Sequence, residues 1–290
     1  MDFTNSINKR AVACVYSSGL EMVRQELLIT RKLGNGEFGV VFEGSYRGER
    51  CAVKTLKAGV RTDTLAYRCL MGELSILASL KPHAHVAGLV GACIDDLSQP
   101  LLIQELVSGP NLQELLDRKR EGFRLEKSQM AMWSMHLMLA LEYLHEQTPV
   151  IMHRDVKPSN LLVGRDGLKL ADFGLATQIL GPTHGSNVGT PRYTAPEVFS
   201  KGRTATYTER IDIYSAALVI WYLVTGHRPC CRVDEFPLAR PDLAQARKRW
   251  PSMANLLRSM WAHEPHMRPS AKTCVLAMCN FREHVCCSCQ

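Results

Sequence analysis

The 290-residue sequence contains no apolar run long enough to cross a bilayer. The longest, AALVIWYLV from Ala216 to Val224, falls far short of the roughly twenty residues a span needs. Its opening, MDFTNSINKR, lacks the apolar core of a secretion signal, and Asp2 stands where N-myristoylation needs glycine. A cytoplasmic protein is expected, with nuclear or membrane-associated placement left open. No internal repeat or low-complexity tract points to a solenoid or a disordered array. The net charge of +7 would suit an anionic partner, but the small clusters DRKR (117–120) and ARKRW (246–250) come with no base-reading module, so no nucleic acid is expected.

Cysteine is not scarce. Eleven cysteines would suggest a disulfide framework in a short secreted chain, but this chain is large, so reduced thiols are expected. Five of them cluster, Cys230 with Cys231, and Cys286, Cys287 and Cys289 in the tail HVCCSCQ. The tail with His284 has no second ligand pair at zinc-finger spacing. Lipidation of these cysteines stays open, although CSCQ lacks the aliphatic middle of a prenylation box.

At 46% hydrophobic and 22% charged, the chain can bury one large core or one bilobal unit. Its texture changes along its length. Residues 27–56 are rich in β-branched and aromatic side chains broken by glycine, which predicts three antiparallel strands. From 62 to 80 the spacing predicts a helix with Leu70, Glu73 and Leu77 on one face, and an acid on an apolar face needs a partner. After about residue 107 helical periods dominate, and the segment 210–226 is apolar on nearly every side, as the centre of a core would be.

Between two apolar runs lies HRDVKPSN (153–160), followed by a predicted hairpin, NLLVGRDGLKLAD. Pairing symmetric about Asp166 would set Asn160 opposite Asp172, about 5 Å apart. An amide and a carboxylate so placed suit a hard cation such as Mg2+, which prefers oxygen ligands and phosphate oxygens. Asp155 can accept a proton from an attacking hydroxyl, and Lys157 supplies a fixed positive charge beside a moving phosphoryl group. A phosphate cradle is offered by LGNGEFGVVFEG, with Gly34, Gly36 and Gly39. Alone this pattern is weak; here the chain continues as strand, and no G-K-[ST] follows to make a nucleotide-binding P-loop. In CAVKTL, Lys54 is positioned to pair with Glu73 and hold phosphates.

Taken together, GNGEFGVV (34–41), AVK (52–54), Glu73, HRDVKPSN, DFG (172–174) and APE (195–197) resemble the eukaryotic protein kinases, motif by motif and in family order. The resemblance covers about residues 27 to 285. It implies an α+β bilobal fold, with a small antiparallel-β lobe carrying one main helix (27–106) and a larger, mainly helical lobe (107–285). Residues 1–26 would form an N-terminal extension, and 286–290 a cysteine-rich tail. It further implies ATP and Mg2+ as cofactors and protein substrates as partners. On that footing Asp155 is the catalytic base, Lys157 its phosphate-facing neighbour, Asn160 and Asp172 the metal ligands, and Lys54 with Glu73 the ion pair. The nucleotide would meet Leu33, Gly34, Asn35, Gly36, Gly39, Val41, Ala52, Lys54 and Leu162, with Gln104 at the gatekeeper position and Glu105 to Val107 offering backbone groups to adenine. His153 would be structural, stacked under Phe173 with Leu77 and Leu89.

Lys157 two residues after the base, and Thr190 in GTPRYTAPE, resemble serine/threonine kinases, whose threonine bonds the base and the lysine. DIYSAALVIWYLVTGHRP and MWAHEPHMRPS resemble the tyrosine-kinase-like branch of those enzymes, nominating Asp212 as a brace for the catalytic loop and Arg268 as the buried partner of Glu197. Arg154 before the base implies control by phosphorylation between DFG and APE. The hydroxyls there are Thr177, Thr183, Ser186, Thr190 and Thr194; Thr183 or Ser186 is the expected target, which leaves room for an upstream kinase. Two departures stand out: Gly72 weakens the helix beside Glu73 by up to about 1 kcal/mol relative to alanine, which is expected to loosen the ion pair, and Pro110 replaces a common glycine. A dual-specificity kinase and a pseudokinase scaffold are the alternatives, the second opposed by the presence of Lys54, Asp155 and Asp172.

Overall fold

A computed structural model describes the chain except residues 1–2, 37, 120–124, 180–182, 185–188, 201–205, 230–239 and 287–290. Contacts divide it into two compact units: Met1–Ser108 with Asp172–Ala176, and Gly109–Ala171 with Thr177–Gln290.

The first unit opens with α1 (Phe3–Ser17) and continues through β1 (Leu27–Asn35), β2 (Val40–Tyr46), β3 (Glu49–Thr55), α2 (Leu65–Ser79), β4 (Leu89–Cys93) and β5 (Leu101–Glu105). The strands form one antiparallel sheet in the order β1-β2-β3-β5-β4. The β2–β3 hairpin closes on Arg47 and Gly48, both at positive φ (50° and 89°), the backbone a two-residue turn of matching twist demands. The predicted helix starts at Leu65, because the hydroxyl of Thr64 accepts a hydrogen bond from the backbone N–H of Tyr67 (3.2 Å) and caps it.

Register sorts the sheet into two faces. Val41 lies opposite Lys54, Ala52 opposite Gln104, and Lys54 opposite Leu102, so these five side chains share one face. Cys51, Val53, Leu101 and Ile103 pack together on the other. Leu102 joins Leu70, Met71 and Leu74 of α2, so the helix covers the face that carries Lys54.

The second unit holds α3 (Leu112–Lys119), α4 (Lys127–His145), β6 (Val150–Met152), β7 (Leu161–Gly164), β8 (Gly167–Leu170), β9 (Thr177–Ile179), β10 (Thr183–His184), α5 (Pro196–Ser200), β11 (Thr206–Tyr207), α6 (Arg210–Thr225), α7 (Ala244–Arg249), α8 (Pro251–Met260) and α9 (Ala271–Cys286). Every residue of α6 from Ile211 to Val224 is buried, as its all-round apolar sequence predicts, and Gly226 ends it in the left-handed conformation. Helix α4 packs against α6, α9 and β8. A Cβ at Gly109 would collide with the carbonyl of Val163, and Pro110 O accepts the Val163 N–H (3.0 Å), so Pro110 helps tie the start of this unit to β7.

The hairpin forms, but one residue out of the predicted register. Gly164 pairs with Gly167 and Leu161 with Leu170, which brings Asn160 against Ala171, whose N–H it accepts (2.9 Å), rather than against Asp172. A two-residue turn on Arg165 and Asp166 puts the symmetry point between residues and not on Asp166; Gly167, at φ 113°, absorbs the reversal.

Candidate active site

In the first unit the site is built around Lys54. Its side chain leaves β3 toward α2, and Nζ lies 2.6 Å from Glu73 Oε2 and 2.6 Å from Asp172 Oδ1. Burial would lower the ammonium pKa, but Glu73 and Asp172 on either side hold it above the ordinary lysine value, so Lys54 stays charged. Burial pushes the Glu73 carboxyl up, and Lys54 draws it back. Glu73 shares its buried face with Leu70 and Leu77, as the helical spacing requires, and Gly72 has not opened the pair. The second oxygen of Glu73 has a partner that sequence reasoning missed: Gln104 Nε2 donates to Oε1 at 3.4 Å. The pairing of β3 with β5 brings the two together, and no local pattern encodes it. Asp172 holds a left-handed backbone (φ 63°), tolerable for aspartate but uncommon elsewhere.

Leu33, Gly34 and Asn35 lie at the end of β1, Gly36 and Gly39 in the loop that follows, and Val41 at the start of β2. The Gly36 N–H donates to Gly39 O (2.9 Å), closing the loop. Gly39 is required by close approach, because a Cβ there would strike the carbonyl of Thr55. At Gly34 an added Cβ would meet no protein atom within 4 Å, so packing does not explain that glycine. Ala52 and Gln104 sit opposite one another, Glu105 ends β5, and Val107 follows it. Leu162 belongs to β7 of the second unit.

In the second unit Asp155, Lys157, Asn160 and Thr190 form one hydrogen-bonded cluster. Asp155 Oδ1 accepts from the Thr190 hydroxyl (2.8 Å) and from its backbone N–H (3.1 Å). Asp155 Oδ2 takes Lys157 Nζ (2.6 Å) and Asn160 Nδ2 (3.0 Å). Lys157 Nζ also donates to the Thr190 hydroxyl (2.9 Å), and Asn160 Nδ2 to Asp155 O (2.9 Å). Thr194 donates its hydroxyl to Thr190 O (2.9 Å) and holds that turn.

The loop bearing these groups is anchored from below. Asp212, fully buried on α6, accepts the backbone N–H groups of His153 and Arg154 (both 2.9 Å) and lies 3.0 Å from His145 Nε2. His153 Nδ1 accepts the Asp155 N–H (3.3 Å), so its Nε2 carries the proton and donates to Ala171 O (3.1 Å), a structural use of the ring. Arg154 is held in a left-handed conformation (φ 65°) by these contacts. Arg268 forks onto Glu197 (2.6 and 2.9 Å), the partner the sequence nominated. Of the two hydroxyls the resemblance led one to expect as phosphorylation targets, Thr183 lies in β10 and Ser186 is outside the described residues, as are Cys230, Cys231, Cys287 and Cys289.

Asp212 gives a pH prediction. Burial would raise its carboxyl, but His145 and the His153 N–H hold it below the usual carboxylate range. A depressed folded pKa adds stability that is present above the ordinary value of about 3.9 and is lost as pH falls through the folded value. Asp212→Asn should therefore cost about 2 kcal/mol at pH 7, with the gap in melting temperature from the parent closing as the pH is lowered toward 3. A gap that stays constant from pH 7 to pH 3 would contradict this.

Comparison with known proteins places the chain in a family. Residues 27–278 match the protein kinase domain, and the chain belongs to that family. It is 30% identical over 253 residues to a serine/threonine-protein kinase/receptor, R831, of Acanthamoeba polyphaga mimivirus, covering 84% of this chain and 15% of that protein. It is 32% identical over 262 residues to the serine/threonine-protein kinase drkD of Dictyostelium discoideum, covering 86% of this chain and 19% of the relative. With the human mitogen-activated protein kinase kinase kinase 11 it shares 28% identity over 262 residues, covering 84% and 30% respectively. The chain thus spans less than a third of the length of these relatives. Among the described residues no helix is long and apolar enough to cross a membrane.

Proposed function

We propose that the chain is an ATP- and Mg2+-dependent protein kinase of the tyrosine-kinase-like branch, transferring the γ-phosphoryl group to serine and threonine hydroxyls of proteins. The observation that carries this reading is Thr190 bridging Asp155 (2.8 Å) and Lys157 (2.9 Å), a threonine at the carboxylate that would receive the acceptor's proton. The expected partners of Asp212 and Arg268 support the branch.

Asp155 accepts the proton of the substrate hydroxyl as its oxygen attacks the γ-phosphorus and the β–γ bridging bond breaks. Lys157 holds positive charge beside the transferring group, where negative charge builds up. Lys54, kept charged by Glu73 and Asp172, holds the α- and β-phosphates. Asn160 commits its amide nitrogen to Asp155, which leaves an oxygen as its ligand atom, and Asp172 contributes a carboxylate one-third exposed (32%). A hard cation prefers oxygen donors, so each of these residues would suit Mg2+, which when bound would neutralise phosphate charge. Packing leaves Gly34 open, in keeping with a backbone approached by phosphate. The same reading places control in a phosphate added at Thr183 or Ser186 and paired with Arg154.

The test is incubation with ATP, Mg2+ and a degenerate peptide library, followed by identification of the phosphorylated residue. Phosphoserine and phosphothreonine, lost when EDTA is added, are expected. Phosphotyrosine alone, or no transfer by the unaltered chain with Mg2+ or Mn2+, would overturn the reading.

A further inference from the structure

Ahead of β1 the sequence offers Ile7, Ala11 and Val15, apolar residues at intervals of four. In the structure this stripe is the buried side of α1. Ala11 and Val15 are fully buried and join Tyr67, Met71, Leu74 and Ala78 of α2 in one apolar cluster. Helix α2 has a second covered side because of it: Tyr67, Leu70, Met71 and every residue from Glu73 to Ala78 are buried, more than one helix face can turn toward a single sheet. A polar contact fixes the orientation. The Ser18 hydroxyl donates to Ala78 O at 3.0 Å, on the last turn of α2.

The segment after α1 is tied to the sheet as well. Leu20 O accepts the Ala92 N–H (2.8 Å) and the Met22 N–H donates to Ala92 O (2.9 Å), so residues 20–22 run along the free edge of β4. The Met22 side chain packs on Gly91. Residues 7–22 therefore form a strap fastened at one end to the helix that bears Glu73 and at the other to the sheet that bears Lys54.

We propose that this strap is a positioning element of the active site, with Ala11 and Val15 as positioning residues that act through α2 to hold Glu73 on Lys54. The inference rests on the kinase reading above and extends it to a segment outside the matched residues 27–278. A helix carrying one partner of an ion pair can shift along its axis with little loss of its own hydrogen bonds. What opposes the shift is interlocked packing on its far side, which α1 supplies.

The test is a double-mutant cycle in the full chain. Val15→Ala removes two methyl groups from a packed contact, and Ser18→Ala, a second and gentler variant, removes the contact with Ala78 O. Val15→Ala should lower kcat/KM for ATP about tenfold, the size of effect a small core cavity exerts when it falls on a two-state alignment. In a Glu73→Gln background, where the ion pair is already lost, the same change should cost less than about twofold. Hydrogen exchange should rise across α2 and stay unchanged in β2 and β3. Equal costs in the two backgrounds, or unchanged exchange in α2, would overturn the proposal and leave α1 a stabilising attachment. Absence of phosphotransfer in the unaltered chain would instead sink the kinase reading, and exchange in α2 would still decide the role of the strap.

Discussion

Asp155→Asn is expected to lower kcat by about a hundredfold to ten-thousandfold, the range that a positioned proton acceptor contributes. The carboxylate receives four donors on two oxygens: Thr190 N–H and hydroxyl on one, Lys157 and Asn160 on the other. An amide in its place must turn an NH2 group toward one of those pairs, so the variant loses the proposed proton acceptor and also repels a donor. Thr190→Val separates the two effects, because it removes the hydroxyl contact to Asp155 and leaves the carboxylate. If the bridge only orients the aspartate, Thr190→Val should lose much less in kcat than Asp155→Asn. Initial rates at saturating ATP and peptide decide the matter. An Asp155→Asn enzyme keeping more than about a tenth of the parent's kcat would remove Asp155 from the chemistry.

Most of the small sheet and its helix was legible because local signals agree there. The β-branched and aromatic content broken by glycine over 27–56, and the three-and-four spacing of Leu70, Glu73 and Leu77, each act over a few residues. The acid on the apolar face correctly forecast a buried cation partner. The β7–β8 register failed by one residue, because turn geometry rather than strand composition decides where a hairpin's symmetry point falls. Two features were invisible for a different reason. Gln104 meets Glu73 only through the pairing of strands far apart in sequence. Helix α1 carried a readable signal in Ile7, Ala11 and Val15, but the surface it covers exists only after α2 has packed on the sheet. The concern over Gly72 failed too: the pair beside it is closed at 2.6 Å, since tertiary packing on α2 outweighs a helix-propensity loss of about 1 kcal/mol.

The largest loss of stability is expected at Arg268, whose side chain is fully buried. Its guanidinium forks onto both oxygens of Glu197 and also donates to the carbonyls of Ala262 (2.9 Å), Arg210 (3.2 Å) and His263 (3.2 Å), with the Tyr214 ring 5.1 Å away. It therefore fastens α5, α6 and the turn after α8 to one planar group. Removing it strands a carboxylate and three carbonyls together, so Arg268→Ala should cost about 3–5 kcal/mol, read as a fall in melting temperature of roughly 10 °C. Arg268→Lys should recover little, because an ammonium retains the charge but cannot supply the planar fork. The paired change Arg268→Met with Glu197→Gln should cost less than the sum of its single changes, since the stranded charge disappears with its partner. If Arg268→Lys melted within about 3 °C of the parent, charge alone would be holding these elements, and the fork would be incidental.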